Sequence, residues 1–575
     1  GTYRMARCCV SGIAMLTGLG AQAQVEIGGI GDVDPFGSGY LEDGETAMPT
    51  DMWKASRTDD LLPLMEKVRT SPLTPAERSL LRRVVLSPAA RPAGENAAQV
   101  LAQRARIMFE IGEAEAAADL LGRLEENPSG LDAEALSVDL QLALGNNATA
   151  CSRGEGRGLD GAFWAKLRTV CALLQDDAAG AELAAEIAGA QGVDDDWFYS
   201  AVFAATTDDA DAKPDARYDS GLNLALSEAA ELAVGDTFVA SSRGDLAAAM
   251  ARRESLPIGQ RVQAAGIAAE AELVDADLHR ALYDDLLAQD TYQASRPIEA
   301  ALAPGRVVPA TAQTIALPED AEEDAAAPSE AAEEIDGSDS SDAEADIRDV
   351  VPALHADYLE SALASATGDA ARFAAVSRLL KPELETLQRS QSTAPQSLVF
   401  ARAAIAAGDP SLAGTWHRVS TIDGAPEPDE FEHAWTQGLI LLARGGVRKQ
   451  DAEPVADAIA AAADTSGKQR AAAQLFAAWT ALDIATSAEA RAMLMALDAP
   501  EREINEWQLL SIGAAAEADG AGEVVLSVIG MTGGDPAQLA PLELIVLIEA
   551  LRDIDAADAA RTLALEATGY WKTLR

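Results

Sequence analysis

From Asp51 onward apolar residues recur at spacings of three, four and seven, the period of helices that bury one stripe. The hairpin over residues 97–126 is clearly written. Leu101, Ala105 and Met108 fall on one face, Gly112 offers the left-handed conformation that stops the first helix, and Ala117, Leu120, Leu121 and Leu124 line the returning one. The last hairpin repeats the plan. Leu544, Leu547, Ile548 and Leu551 form a stripe, Asp553 and Asp555 mark a turn, and Ala560, Leu563, Ala564 and Ala567 form the next stripe. Small or acidic breaks recur at Gly112, Gly145 and Asp176, then at Gly368, Gly408, Gly445, Asp483, Gly520 and Asp553, in steps of 31 to 40 residues. Single hairpins cannot bury their apolar faces alone, so this spacing predicts an all-α chain of stacked helical hairpins, an α-solenoid. The unevenness of the steps leaves an irregular helical bundle as the alternative.

Two stretches break the helical pattern. Residues 24–50 are rich in Gly and Asp and lack periodicity, which predicts a flexible N-terminal lead. Residues 318–349 hold 14 acidic residues and only Arg348 as a base, with Pro318, Pro328 and Gly337 among them. Too little apolar surface is available there to offset the entropy of ordering, so 304–349 is expected to be an acidic disordered linker. Its simplest role is solvation and spacing; docking of a basic partner or weak Ca²⁺ binding is the sharper alternative. The expected organisation is therefore a helical block over 51–303, the linker, and a second helical block over 350–575. The chain ends in Tyr570-Trp571-Lys572-Thr573-Leu574-Arg575, which either caps the final hairpin or docks to a partner.

Charge then narrows the classes. The chain carries 44 Lys and Arg against 93 Asp and Glu, a net charge of −49, which repels nucleic acid phosphates and anionic lipid. No apolar run reaches the length of about 18 residues that a membrane span requires. Residues 1–23 read as an export signal: Arg4 and Arg7 precede an apolar stretch from Cys8 to Leu19, and Ala21-Gln22-Ala23 is the small-x-small pattern of a cleavage site between Ala23 and Gln24. The protein is thus expected outside the cytoplasm, periplasmic or secreted. Removing the signal also removes Cys8 and Cys9 and leaves Cys151 and Cys171. An even pair in an exported chain suggests a disulfide, with two buried thiols as the alternative.

Catalytic motifs are missing from the sequence: no Gly-x-Ser-x-Gly elbow, no His-Glu-x-x-His helix and no Gly-x-x-x-x-Gly-Lys loop occurs. No cofactor or metal is expected. His417 and His433, beside Trp416 and Trp435, form the best candidate polar site of the second block, against ordinary helix-surface or capping histidines. Gly154, Gly156 and Gly158 look like a phosphate cradle, but the segment before them reads as helix and not as the strand such a loop follows, so a flexible loop between the two cysteines is expected. Asp194-Asp195-Asp196 ahead of Trp197 reads as an acidic helix N-cap more simply than as a metal cluster.

The block Ser79-Leu80-Leu81-Arg82-Arg83-Val84-Val85-Leu86-Ser87-Pro88, the run Leu101-Ala102-Gln103-Arg104-Ala105, the turn Ile111-Gly112-Glu113 and Phe163-Trp164-Ala165-Lys166-Leu167-Arg168 ahead of Cys171 resemble exported, tetratricopeptide-like helical-repeat proteins of alphaproteobacteria. The resemblance covers residues 50–205 best. The hairpin length is kept, without the patterned Trp, Gly, Tyr, Ala and Pro of true tetratricopeptide units. It implies an envelope location and a role in protein interaction, and it brings no catalytic residue. The expected function is a non-enzymatic periplasmic scaffold or adaptor for envelope proteins of basic character. Its binding face is placed around the Cys151–Cys171 pair, with Trp164 and Arg168 as candidate binding residues beside the Trp416, His417, His433 and Trp435 group. A structural spacing element of an envelope assembly and a cell-wall-acting enzyme are the rival readings.

Overall fold

The computed structural model describes residues 34–155, 161–207, 213–233, 243–289, 292–307, 351–498 and 504–572. The expected export signal with its Ala23–Gln24 bond, the first part of the lead, residues 308–349 of the acidic segment and Gly156 and Gly158 lie outside the described residues. Among the described residues the protein is all-α, with 26 α-helices, no strand and one isolated bridge between Arg57 and Ala93.

The chain divides into Gly1–Asp34 and Pro35–Arg575, and the helices of the described residues belong to the second unit. It begins with α1 (Thr58–Lys67), α2 (Pro75–Leu86), α3 (Ala97–Glu110) and α4 (Ala114–Gly122). Next come α5 (Ala133–Ala143), α6 (Asn147–Gly154), α7 (Ala162–Leu174), α8 (Ala178–Ala190), α9 (Asp196–Thr206) and α10 (Gly221–Ala229). The part before the acidic segment closes with α11 (Gly244–Arg252), α12 (Ile258–Glu270), α13 (Ala276–Leu287) and α14 (Pro297–Leu302). After it follow α15 (Pro352–Ala364), α16 (Ala370–Thr386), α17 (Ser397–Ala406), α18 (Pro410–Val419), α19 (Glu430–Arg444) and α20 (Lys449–Ala462). The last six are α21 (Ser466–Ala481), α22 (Ala488–Met495), α23 (Glu506–Glu517), α24 (Ala521–Thr532), α25 (Pro541–Asp553) and α26 (Ala557–Ala567).

Consecutive helices pair, as the repeating stripes demand: α3 with α4, α7 with α8, α17 with α18, α25 with α26. The stripes of the hairpins at 97–126 and 544–567 are turned inward; Ala105, Met108, Leu120, Leu547, Ile548 and Leu563 are all buried. Turns fall where the sequence puts them at Gly112, Gly145, Asp176, Gly408, Gly445 and Asp483, each with positive φ. Gly112 is needed twice over: its φ is 94°, and a Cβ there would lie 2.5 Å from the Leu273 side chain. Two expected breaks are displaced. Asp519 takes the left-handed conformation one residue before Gly520, and Asp555, also marked for the last turn, takes it two residues after Asp553, because a short Asp side chain tolerates it. Gly368 does not adopt it.

Helices on the two sides of the acidic segment pack together, which the sequence leaves open. α14 lies on α15, and α12 and α13 lie on α16. The first helices meet the last ones, α1 against α24 and α2 against both α24 and α26. One large core accordingly runs from Phe36 through α1–α4, α14 and α15–α26 to Trp571. Among the described residues smaller cores serve the intervening stretch: one under α5–α10 around Trp164, Leu167 and Phe198, one under α10–α13 around Leu246, Met250 and Leu282, and a minor one of Ala165, Ala188 and Val193. Tyr570 and Trp571 are buried, with the Tyr570 ring edge-on to Phe373.

The flexible lead expected over 24–50 is corrected for its described part. Phe36 and Met48 are buried, Tyr40 N–H donates to Leu86 O at 2.8 Å, and Ala89 N–H donates to Phe36 O at 2.9 Å. Two apolar anchors suffice because a buried arginine gathers the main chain around them. Arg104 Nε donates to Val85 O at 2.6 Å, and its Nη2 donates to Ser38 O at 2.8 Å and Ser87 O at 2.9 Å. A cation at the carboxyl end of α2 meets the helix dipole favourably. Burial lowers the Arg104 pKa to about 10, so the group stays charged at neutral pH. At its other margin the expected linker starts late, since Pro304–Arg306 forms a 3-10 turn.

Candidate functional site

The two groups of residues singled out in the sequence are placed in separate cores. On α18 and α19 the expected cluster assembles, but inward. Trp416 and Trp435 are fully buried, and Trp416 Nε1 donates to Leu384 O at 3.0 Å. The rings of His417 and His433 stack with centroids 4.1 Å apart. His417 Nε2 lies 3.0 Å from His433 O, and His433 Nδ1 lies 2.9 Å from Ser420 Oγ. Burial pushes the His417 pKa down to about 4, although the bond to His433 O opposes it, and burial lowers His433 as well. Both rings are therefore neutral at physiological pH and spend their nitrogens on knitting α18 to α19. The first group behaves likewise. Trp164 is buried with Nε1 donating to Asp132 Oδ2 at 2.9 Å, while Arg168, one turn on, is half-buried beside Gln191.

Around these residues two local expectations hold, the disulfide and the acidic cap. Cys151 of α6 and Cys171 of α7 form a disulfide with Cα atoms 5.7 Å apart. Asp195 caps α9 by accepting from Phe198 N–H at 3.2 Å, and it pairs with Lys166 at 2.5 Å. Gly154, expected in a flexible loop, is instead the last residue of α6. Among the described residues no group of three or more His, Cys, Asp or Glu could hold a metal ion, and no helix is long and apolar enough to cross a membrane.

A cavity of about 580 Å³ lies elsewhere. Arg78, Arg82 and Arg83 of α2 form one wall, and four other parts of the chain converge on them: the lead at Glu42 and Glu45, the α3–α4 turn at Ile111 and Glu113, the α12–α13 turn at Glu272 and Leu273, and the start of α26 at Asp558. Its charges largely satisfy one another. Arg82 pairs with Glu113 at 2.6 Å and with Glu45; burial works against its charge, but these partners raise its pKa overall. Arg83 donates to Thr46 O at 2.7 Å and Ala47 O at 3.1 Å. Burial lowers Arg83 while Asp558 and Asp555 oppose the shift. Arg78 donates to Ile111 O at 3.0 Å and keeps a buried Nε without a partner among the described residues. Guanidinium and carboxylate groups line it beside Leu41, Leu80, Ile111 and Leu273, so this wall can hold polar groups against an apolar floor. The only trace of it in the sequence is the run of three arginines on one helix of a strongly acidic chain.

Exposed apolar residues are the other feature with functional meaning. On α8, Leu183 and Ile187 are 59% and 45% exposed one turn apart, and Phe203 of α9 is 50% exposed. Glu182 and Glu186 flank them on the same open side. No protein-family model, curated protein or solved structure matches the chain.

Proposed function

We propose that the protein is an exported, periplasmic scaffold or adaptor without catalytic activity, a helical-repeat protein of tetratricopeptide-like character that binds envelope proteins of basic character. The observation that carries this reading is the apolar stripe of α8. Leu183, Ile187 and Phe203 stand in water on helices next to the disulfide-bridged α6–α7 pair, with carboxylates beside them. Covering Leu183 and Ile187 would contribute about 2–3 kcal/mol to a complex, and a rim of glutamates favours a partner that carries Lys or Arg around an apolar centre. The bridge ties α7, on which α8 packs, to α6 and so limits how far it can shift, which lowers the entropy cost of binding.

The test is crosslinking in cells with the tagged protein, followed by mass spectrometry, beside Leu183→Lys/Ile187→Lys. One or two dominant envelope proteins, lost in the double variant while its helicity is unchanged, are expected. Recovery of the bait alone at every crosslinker dose would overturn the scaffold reading.

A further inference from the structure

A second surface, on the seam where the beginning and end of the chain meet, has a different chemistry. Trp507 and Leu510, one turn apart on α23, are 80% and 65% exposed, and Ala514 extends the same stripe. Of the eight tryptophans, six are buried and Trp197 is half-buried, so Trp507 alone presents its ring to solvent. The neighbouring face of α23, with Gln508, Ser511 and Ile512, forms one wall of a cleft of about 380 Å³ whose other walls are α1 and α24. Asp59, Asp60 and Glu523 line it beside Pro63 and Leu64. Among the described residues no cation lies within ion-pair distance of Asp60 or Glu523, and Asp59 has only the exposed Arg57 at 3.8 Å. The ground beneath the cleft is firm. Trp53 packs against Gly522, where a Cβ would lie 2.1 Å from its ring, Gly522 N–H donates to Met52 O at 3.1 Å, and Ser56 Oγ donates to Glu523 at 2.8 Å.

We propose that this cleft and its tryptophan lip dock an amphipathic, basic segment of a partner protein: apolar side chains cover Trp507 and Leu510 while Lys or Arg side chains reach Asp59, Asp60 and Glu523. Charge complementarity decides the occupant. An acidic or phosphate-bearing ligand would meet three carboxylates against the single exposed Arg57, and a second copy of the chain would bring the same carboxylates face to face. A basic segment gains on both counts, since the carboxylates steer its approach and the indole supplies a large rigid contact. The site stands independently of the α8 stripe.

The experiment uses the full protein and a synthetic helical peptide of alternating Leu and Lys faces, with two controls: the same peptide with Glu for Lys, and with Ser for Leu. Binding is read by the emission and acrylamide quenching of Trp507, and by calorimetry. The Leu/Lys peptide is expected to bind and to shield Trp507, both controls to fail, and affinity to fall roughly tenfold or more in Trp507→Ala and in Asp60→Asn/Glu523→Gln. Asp194→Asn, an exposed carboxylate elsewhere, should leave binding unchanged. Equal binding by all variants, or retention by the Ser-for-Leu peptide, would mean generic attraction to an acidic surface and overturn the proposal. So would a dimer of the unliganded protein that Trp507→Ala converts to monomer.

Discussion

The contact between the first and last helices makes a sharp prediction at Glu566. The amino end of α2 is capped by Thr74, whose hydroxyl accepts from Glu77 N–H while Glu77 Oε2 accepts from Thr74 N–H. Glu77 also receives Thr532 Oγ1 and, at 2.9 Å, Gly534 N–H from the end of α24. Glu566 of α26 reaches the same helix end, its Oε1 accepting from Ala76 N–H at 2.9 Å across 490 residues of sequence, while Oε2 is buried without a partner among the described residues. Burial raises the Glu566 pKa from 4.5 to about 8; the bonds from Thr74 and Ala76 oppose this, and the nearby Glu77 and Glu272 carboxylates add to it. The folded protein therefore holds a proton between pH 4.5 and 8 that the unfolded chain releases, so the contribution of this group to stability falls as pH rises through that window. At 1.36 kcal/mol per unit the total change approaches about 4–5 kcal/mol. Glu566→Gln keeps an acceptor for Ala76 N–H and cannot ionise. The difference in stability between native protein and variant should favour the native chain most near pH 5, decline steadily to pH 8 and level off above it. Denaturant unfolding across this range checks it, with hydrogen exchange of the first turn of α2 as a local reporter. A difference that is flat in pH, or that moves in favour of the native protein as pH rises, would refute a protonated Glu566.

Other substitutions probe separate parts of the fold. Removing the bridge with Cys151→Ser/Cys171→Ser should cost about 3 kcal/mol by the loop-entropy relation for a separation of 20 residues, seen as a lower Tm that reductant reproduces in the native protein. Gly221→Ala should disrupt the α5–α10 contact severely, because a Cβ there would lie 1.8 Å from Asp139 O and 2.8 Å from Ala143 N; loss of near-ultraviolet ellipticity and of soluble yield would report it. His279 is buried against Tyr283 with neither ring nitrogen bonded among the described residues, and burial, aided by Arg378, lowers its pKa to about 4. Its contribution is lost as pH falls from 6.5 toward 4, the opposite sense to Glu566, so His279→Leu should stabilise the protein by about 1–2 kcal/mol at pH 7 and by more at pH 5 in thermal melts.

What could be read from the sequence was local. Stripes at helical spacing, the Asp195 cap and most turns follow from interactions within a few residues, and the structure places them where those rules put them. The Cys151–Cys171 pairing was equally open to inference because only two cysteines follow residue 23. A Gly- and Asp-rich stretch looks mobile unless its partners are known, and those of the lead lie far along the chain: Ala89 and Arg104 hold Phe36 O, and Leu86 of α2 holds Tyr40 N–H. Glu231 and Glu272 turn the chain with positive φ although Glu has no intrinsic taste for it, so packing, not propensity, sets those corners. Trp416, His417 and Trp435 stand together as expected, yet a sequence cannot tell an inward cluster from an outward one when both faces of a hairpin are packed.

Closure of the chain also changes how its function must be dissected. Two independent blocks could each be deleted to remove one binding module and spare the other. Here α2 relies on Glu566 for one of its terminal amides, Trp53 relies on Gly522 for its seat, and Arg402 of α17 reaches Lys572 O at the far end. Removing either half would strip apolar faces from the other, leaving Glu566 without Ala76 N–H or Glu77 without Thr532 and Gly534, costs of several kcal/mol in all against a total stability of only about 5–15 kcal/mol. Loss of binding in such a truncation would report unfolding. The surfaces that point changes can separate are the α8 stripe and the Trp507 cleft: one sits over the core around Trp164, the other over the seam between α1 and α24. If both proposed faces bind, one partner would be held while another is engaged, and point changes in each would separate the proposed adaptor from a spacer, which needs neither.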